Sequence, residues 1–385
     1  MLNCDVIGMN ESPRDQLELL QNLIKLKTEN PGSRTEEIVN FLKTSVFDVS
    51  KGFRTRVITN QKEGTILHNI VAEIGTGARR IILCGHLDTV PAGDHQKWKH
   101  PPFSGALVDG NVYGRGTSDM KGGVVSLIGT IQRLMDNKNL LKKSTIVFAG
   151  TADEESGMSG AEALYNAGIM NNAVLLVIAE ATNLRVGIAE KGVIWATAKV
   201  KGKAAHGSMP KEGLNAIEGA SKLFPKFYDC LEPKKSELLG ISTLNIGTMR
   251  AGTKINVVPE EAILELDYRL LPEQDPKTVI ERLKGIDASP WKMEIAITHS
   301  LPPLMANSDD PFVKTLRSVS GGSPFVGMTY GTDAAKLIDP KSPIPFAIFG
   351  PGDSRIIHQT DEFVPLSQVV QASEMLVEAI NRTFS

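Results

Sequence analysis

Residues 80–91 read RIILCGHLDTVP, and the succession of residue types in this stretch decides the fold class. Ile81 to Cys84 are apolar without polar alternation, which describes a strand covered on both faces, as in the sheet of an α/β domain. The run gives way to Gly85-His86-Leu87-Asp88. Polar groups therefore collect where the strand stops, the end at which α/β sheets build their sites. Further strand-like runs occupy 68–74 (HNIVAEI), 145–151 (TIVFAGT), 174–180 (VLLVIAE) and 344–349 (IPFAIF). Helices are expected over 14–28, from Glu36 to Phe47, over 121–135 and over 159–167.

Between 192 and 298 the rhythm changes. A strand at 193–201, a helix at 213–229, strands at 241–248 and 261–270, a helix at 276–285 and a strand at 291–299 give the order β-α-β-β-α-β. That is the split βαβ, or ferredoxin-like, pattern. The strand at 344–349 lies downstream of it, so the small domain interrupts a larger one. The chain is long for one core. The expected organisation is an α/β domain with a mixed central sheet, residues 1–184 and 298–385, and an inserted α+β domain, residues 185–297.

The composition excludes several classes of function. Formal net charge is −2 over 385 residues, which offers no electrostatic footing for nucleic acid or an anionic membrane. Three cysteines without CxxC spacing argue against a disulfide framework or thiolate zinc site and favour a reducing compartment. The first sixteen residues meet Asn, Asp and Glu too early for a signal peptide, and no apolar stretch is long enough to span a bilayer. A cytoplasmic protein without nucleic-acid or membrane partners is expected.

Five metal-liganding side chains stand just beyond apolar runs or in glycine-rich turns: His86, Asp119, Glu155, Glu180 and His358. Three carboxylates and two imidazoles suit a pair of borderline divalent cations such as Zn²⁺. A lone histidine after a strand is more often a hydrogen-bonded core residue, but Asp88 lies close enough in sequence to fix the tautomer of a ligating His86. The segment Gly114–Gly123 resembles a phosphate-cradling loop. It lacks GxxxxGK[ST], and Asp119 stands where a dinucleotide fingerprint needs its third glycine, so pyrophosphate would meet a repelling charge. In Asp153-Glu154-Glu155, one acid can bind metal while its neighbour takes a proton from an attacking water. Glu180 ends an apolar run, an unusual place for an unpaired acid.

The ordered motifs GHLDTVP (85–91), GRGTSDMKGG (114–123), TADEESG (151–157), AE (179–180), HGSMP (206–210), INVVP (255–259), DYRLLP (267–272), GTDAAKL (331–337) and GPGDSRIIH (350–358) cover nearly the whole chain. With them the sequence resembles the M20 metallopeptidases, in particular the acetylornithine deacetylase/succinyl-diaminopimelate desuccinylase group. The resemblance implies that His86 and Glu180 hold one metal and Glu155 and His358 the other, with Asp119 bridging. It implies that Asp88 orients His86 and that Glu154 is the general base. It makes the inserted domain a dimerisation domain whose His206 reaches the partner's site in a homodimer. Arg269 resembles the arginine that binds the substrate carboxylate, or else forms a surface salt bridge. Asn256, Gly331 and Thr332 would be further substrate contacts, and Asp333 either joins them or caps the helix that follows.

The resemblance also implies the chemistry. Two divalent metals, Zn²⁺ or else Co²⁺ or Mn²⁺, would serve hydrolysis of an N-acyl amino acid or short peptide with a free carboxylate. Succinyl-diaminopimelate is the foremost substrate; acetylornithine, other acylated amino acids and dipeptides are alternatives. A catalytically silent relative would have lost the base or a ligand, and none is lost here. Two departures from relatives stand out: Ala181 follows Glu180 where many have proline, and Ser354–Ile357 is bulkier than usual.

Overall fold

The computed structural model describes residues 12–32 and 35–385. Cys4 and most of the segment read as no signal peptide lie outside the described residues. Helix α1 (Pro13–Lys25) opens on a capping box, in which Ser12 Oγ accepts from the Asp15 N–H and the Asp15 carboxylate takes the Ser12 N–H. Its Leu19, Leu20, Leu23 and Ile24 are buried. Helix α2 (Glu36–Phe41) passes into one wider turn, Leu42–Val46, instead of reaching Phe47 as a single helix. Next come β1 (Arg54–Lys62), β2 (Thr65–Gly75), β3 (Arg79–His86), α3 (Gly122–Leu134), β4 (Ser144–Thr151), α4 (Ser159–Asn166), β5 (Ala173–Ile178) and β6 (Gly187–Glu190).

The chain divides into two compact units. The second comprises Ala189–Met305 and Gly327–Gly331. Its boundaries fall a few residues beyond the expected 185–297, and the short return segment had no signal in the sequence. It contains β7 (Gly192–Lys201), α5 (Ala216–Tyr228), β8 (Thr243–Ala251), β9 (Glu261–Leu270), α6 (Pro276–Lys284) and β10 (Lys292–Leu301). The four strands lie in the order β8-β9-β7-β10, all antiparallel. Along β9 every second residue, Ala262 through Leu270, is buried. These side chains form a core with Ala220, Leu223 and Phe227 of α5 and Val279 and Leu283 of α6. Helix α5 starts at Ala216 rather than 213, because the Asn215 side chain accepts from the Ile217 and Glu218 N–H groups and so sets the first turn.

In the first unit the chain returns through α7 (Pro311–Val319), α8 (Ala334–Leu337), β11 (Phe346–Ile348) and α9 (Leu366–Phe384). The sheet runs β1-β2-β4-β3-β5-β11-β6. Strand β3 is parallel to both β4 and β5, and β5 is parallel to β11. The β1/β2 and β2/β4 pairs are antiparallel, so the sheet is mixed. Every residue of β4, and every residue of β3 from Ile81 onward, is buried, which requires cover on both faces. Strand β1 escaped notice in the sequence because it is polar and exposed or half-buried along its length.

Helix α3 begins against the end of β5, and Gly123 makes that approach possible. A Cβ there would lie 1.9 Å from the Ala179 carbonyl oxygen, a backbone atom that cannot swing aside. Gly123→Ala should therefore cost ~3 kcal/mol, the upper part of the range for overpacking. Urea denaturation would show a lowered midpoint with an unchanged slope. An unchanged midpoint would mean the helix start can shift at little cost.

Candidate active site

The parallel register places His86 opposite Thr151 and Cys84 opposite Ile178, so three segments leave the sheet at one end. His86 is the last residue of β3, Ala152–Glu155 follows β4 in a tight turn, and Glu180 lies two residues past β5. His86, Asp88, Asp119 and Glu180 are all buried. Asp119 comes from the turn Thr117–Lys121 ahead of α3, after Gly116 at φ +83°. A Cβ on Gly116 would meet Thr89 Cγ2 at 2.5 Å, so both conformation and space there demand glycine.

Asp119 presents one oxygen to each histidine. Its Oδ1 is 2.9 Å from His86 Nε2, and its Oδ2 is 3.1 Å from His358 Nε2. A second acid stands beside each ring: Glu180 Oε1 at 3.7 Å from His86 Nε2, and Glu155 Oε2 at 3.1 Å from His358 Nε2. Ligand atoms of His86, Asp119 and Glu155 all lie within 4.8 Å of one another, close enough to share a metal ion. The Val90 N–H donates to Glu155 Oε1 at 3.3 Å and helps to aim it. His358 is half-exposed and sits at φ +62° in the loop beyond Gly352.

Asp88 does not hold His86 by its carboxylate. The His86 Nδ1 partner is the Asp88 main-chain oxygen at 2.9 Å, and the nearest carboxylate oxygen is 3.8 Å away. The carboxylate instead accepts from the Glu154 and Glu155 N–H groups, each at 3.2 Å, and from Asn30 Nδ2 at 2.9 Å. It therefore shapes the turn that carries both glutamates. Asn30 also donates to Asp153, which pairs with Lys62 at 2.9 Å. Nothing in sequence proximity linked Asn30 or Lys62 to this turn.

The electrostatics of the cluster are those of too many acids in one dry place. Burial, reinforced by repulsion from neighbouring carboxylates, pushes Glu154 and Glu180 well above the usual carboxylate range and raises Glu155 as well. Asp119 moves the other way. Burial opposes its charge, but its bonds to His358 and His86 hold it below the usual value. Those bonds raise His358 to about 10, and they raise His86 well above its ordinary value although its burial opposes the proton. Opposing shifts, acids raised and imidazoles raised around one lowered carboxylate, thus meet in a single buried cluster. A cation-binding donor set of oxygens and nitrogens behaves in this way, and the residues fit divalent metal.

The turn that carries Asp119 has two further anchors. Lys121 is fully buried and donates its Nζ to the carbonyls of Leu23 and Leu26, at 3.0 and 2.8 Å, closing the end of α1. Burial pushes its amine down to about 7. Glu362, also fully buried, accepts from the Arg115 guanidinium and from three N–H groups of the turn. Nothing near Glu362 in the sequence ties it to this turn; its one local signal is an acid set directly before the apolar Phe363-Val364. Thr182 exchanges two hydrogen bonds with Gly350 and so joins the end of β5 to the His358 loop.

Asp333 stands at the N-cap of α8 without a side-chain capping bond, and the buried Thr332 accepts the Ala334 N–H at its Oγ1. The Asp333 carboxylate takes the Thr151 hydroxyl at 2.5 Å and lies 3.9 Å from Cys84 Sγ; burial raises it to about 6. His206, Asn256, Arg269 and Gly331 belong to the second unit. His206 is exposed. Its Nδ1 lies 2.8 Å from Ser208 Oγ and 3.2 Å from the Ser208 backbone N. The Asn256 carbonyl accepts from the Gly207 N–H, so HGSMP and INVVP lie side by side. The Arg269 guanidinium is engaged by Asp267, with Nε 2.8 Å from Oδ1, the salt bridge named above as its other reading. Among the described residues no helix is long and apolar enough to cross a membrane.

Comparison with known proteins points to one family. Residues 82–382 match Peptidase family M20/M25/M40. A Staphylococcus aureus (strain MSSA476) protein named "Probable succinyl-diaminopimelate desuccinylase" is 30% identical over 407 residues, covering 96% of this chain and 97% of that protein. An acetylornithine deacetylase of Myxococcus xanthus is 28% identical over 322 residues, covering 80% of each chain. The solved structure of an M20 family metallo-carboxypeptidase from Sulfolobus solfataricus superposes with a TM-score of 0.76 at 18% identity, covering 95% of this chain and 98% of that one. The mixed sheet, the acid–imidazole cluster at its strand ends and the match over most of the length converge: the chain belongs to peptidase family M20/M25/M40 and is a metal-dependent hydrolase of amide bonds.

Proposed function

We propose that the protein removes the acyl group of an N-acyl amino acid, with N-succinyl-diaminopimelate the foremost substrate, using two divalent cations, zinc first among them. The observation that carries this reading is Asp119, whose two oxygens face two histidines, each with its own acid alongside. His86 and Glu180 would hold one cation, Glu155 and His358 the other, and Asp119 both. When bound, the cations supply an acidified water and a polarised acyl carbonyl. The name of the Staphylococcus aureus relative supports the succinyl substrate, and that of the Myxococcus xanthus relative keeps acetylornithine beside it. Aminoacylase or dipeptidase activity is the alternative within the same chemistry.

Glu154 takes the proton from the attacking water. Burial and its acidic neighbours raise its proton affinity, which suits a carboxylate to both accepting that proton and surrendering it. The C–O bond forms first and places the carbonyl electrons on an oxyanion; the C–N bond then breaks as the carbonyl re-forms and Glu154 passes the proton to the departing amine nitrogen. Asp88 keeps Glu154 and Glu155 in their turn through the two backbone N–H bonds. His206, acting from the second copy of a cytoplasmic homodimer, offers its Nε2–H to the oxyanion, a contribution of about 3–4 kcal/mol where such donors have been removed. Arg269 fits the free carboxylate of the substrate as a fork, sharing its guanidinium with Asp267. Asn256, Gly331 and Thr332 complete the substrate contacts.

Purified protein, stripped of metal and reloaded with Zn²⁺ or Co²⁺, should hydrolyse N-succinyl-diaminopimelate faster than N-acetylornithine or a panel of dipeptides. Glu154→Gln should lower kcat by roughly 10²- to 10⁴-fold while still binding two metal ions. Turnover of dipeptides alone would move the protein to the peptidase branch, and full activity in Glu154→Gln would remove that residue as the base.

Metal uptake should release protons. His358, at about 10, is protonated in the metal-free protein at pH 7.5, and ligation needs the neutral ring. Affinity should therefore rise as pH rises from 6 to 9. Calorimetric titration of Zn²⁺ in two buffers of different ionisation enthalpy measures the protons released; identical heats in both would contradict this assignment.

A further inference from the structure

The turn that carries Asp119 is held by one side chain from the far end of the chain. Glu362 Oε1 accepts from the Ser118 and Asp119 N–H groups at 2.8 and 3.1 Å. Its Oε2 accepts from the Gly116 N–H at 3.2 Å and from Arg115 Nη1 at 2.6 Å. Four donors therefore converge on two buried oxygens, a carboxylate-binding nest built from the backbone. The backbone around Glu362 extends the clasp. The Gly114 N–H donates to the Glu362 carbonyl at 2.9 Å, the Ser118 hydroxyl donates to the Phe363 carbonyl at 2.6 Å, and Phe363 pairs with Tyr113. Glu362 follows His358 by four residues in the same loop. It thus couples the placement of Asp119 to that of His358, whose Nε2 lies 3.1 Å from Asp119 Oδ2.

We propose that Glu362 is the positioning residue that holds Asp119 and His358 in register, and that the tightness of the cation on the His358 side depends on its carboxylate. The inference rests on reading Asp119 and His358 as metal ligands. Arg115 is itself packed over the Trp98 ring at 5.2 Å, so its charge comes to Glu362 from a fixed direction. An acid is required rather than an amide, because every partner of Glu362 is a donor. Glutamine of the same shape would turn its NH₂ toward an N–H group and leave that group unpaired in a dry site.

The test compares wild type, Glu362→Gln, Glu362→Asp and Asp119→Asn. Co²⁺ is the probe, followed by calorimetric stoichiometry and affinity and by its visible absorption spectrum. Thermal unfolding of the metal-free forms identifies any variant that fails to fold. Glu362→Gln should bind its weaker Co²⁺ ion about 10- to 100-fold less tightly, with an altered spectrum and a lowered kcat at nearly unchanged KM. Glu362→Asp, which keeps the charge but is one methylene shorter, should fall between it and wild type. If Asp119→Asn loses Co²⁺ while folded Glu362→Gln and Glu362→Asp match wild type in affinity and spectrum, the positioning role is overturned. If Asp119→Asn itself binds two ions as wild type does, the ligand reading beneath it has failed instead.

Discussion

A buried carboxylate between two imidazoles is stable only if everything around it holds its charge and its direction. Asp119 meets both conditions through its neighbours. His86 and His358 take its two oxygens, while Glu362 and Lys121 fix the turn it stands on. The same geometry concentrates Glu154, Glu155 and Glu180 nearby, where burial and mutual repulsion raise their proton affinity. Acids crowded in this way favour bound protons. A divalent ion would replace them with fewer groups and a stronger field.

The sheet makes this crowding affordable. Three parallel strands end together, so His86, the Glu154–Glu155 turn and Glu180 arrive at one place from backbone that is already hydrogen-bonded and covered on both faces. His86 ends its strand and the acids sit on loops two to four residues beyond theirs, so rigidity is inherited from the strands. Asp88 shows how the loops are tuned. Its main-chain oxygen orients His86, and its carboxylate organises the next loop. One residue thereby links two strand ends.

The second unit follows a separate logic. Its antiparallel sheet buries one face on α5 and α6. The other face carries Asp267 and Arg269, alternate residues of β9 that pair with each other. His206 and Asn256 lie on adjoining loop segments tied by a backbone bond. The split βαβ order was legible because alternation along β9 and the apolar spacing of α5 are strong local signals. The start of α5 was not, since the Asn215 cap depends on side-chain geometry.

Sequence by itself determined the elements whose burial is written in their composition. The apolar runs at β3, β4 and β5 can only be covered strands, and the acids and histidines that follow them stand out because a polar group at such a place needs a partner. Sequence could not reveal partners that come from far along the chain. Glu362 meets Arg115 and Asp119 across more than 240 residues, and Asn30 meets Asp88 and Asp153 across 58 and 123. Nor could it say that the Asp88 carboxylate accepts from the Glu154 and Glu155 N–H groups, or that Asp333 heads α8 without a side-chain capping bond. Those choices are settled by which donors happen to lie within about 3 Å once the strands are stacked, because a hydrogen bond is made between neighbours in space, whatever their separation in the chain.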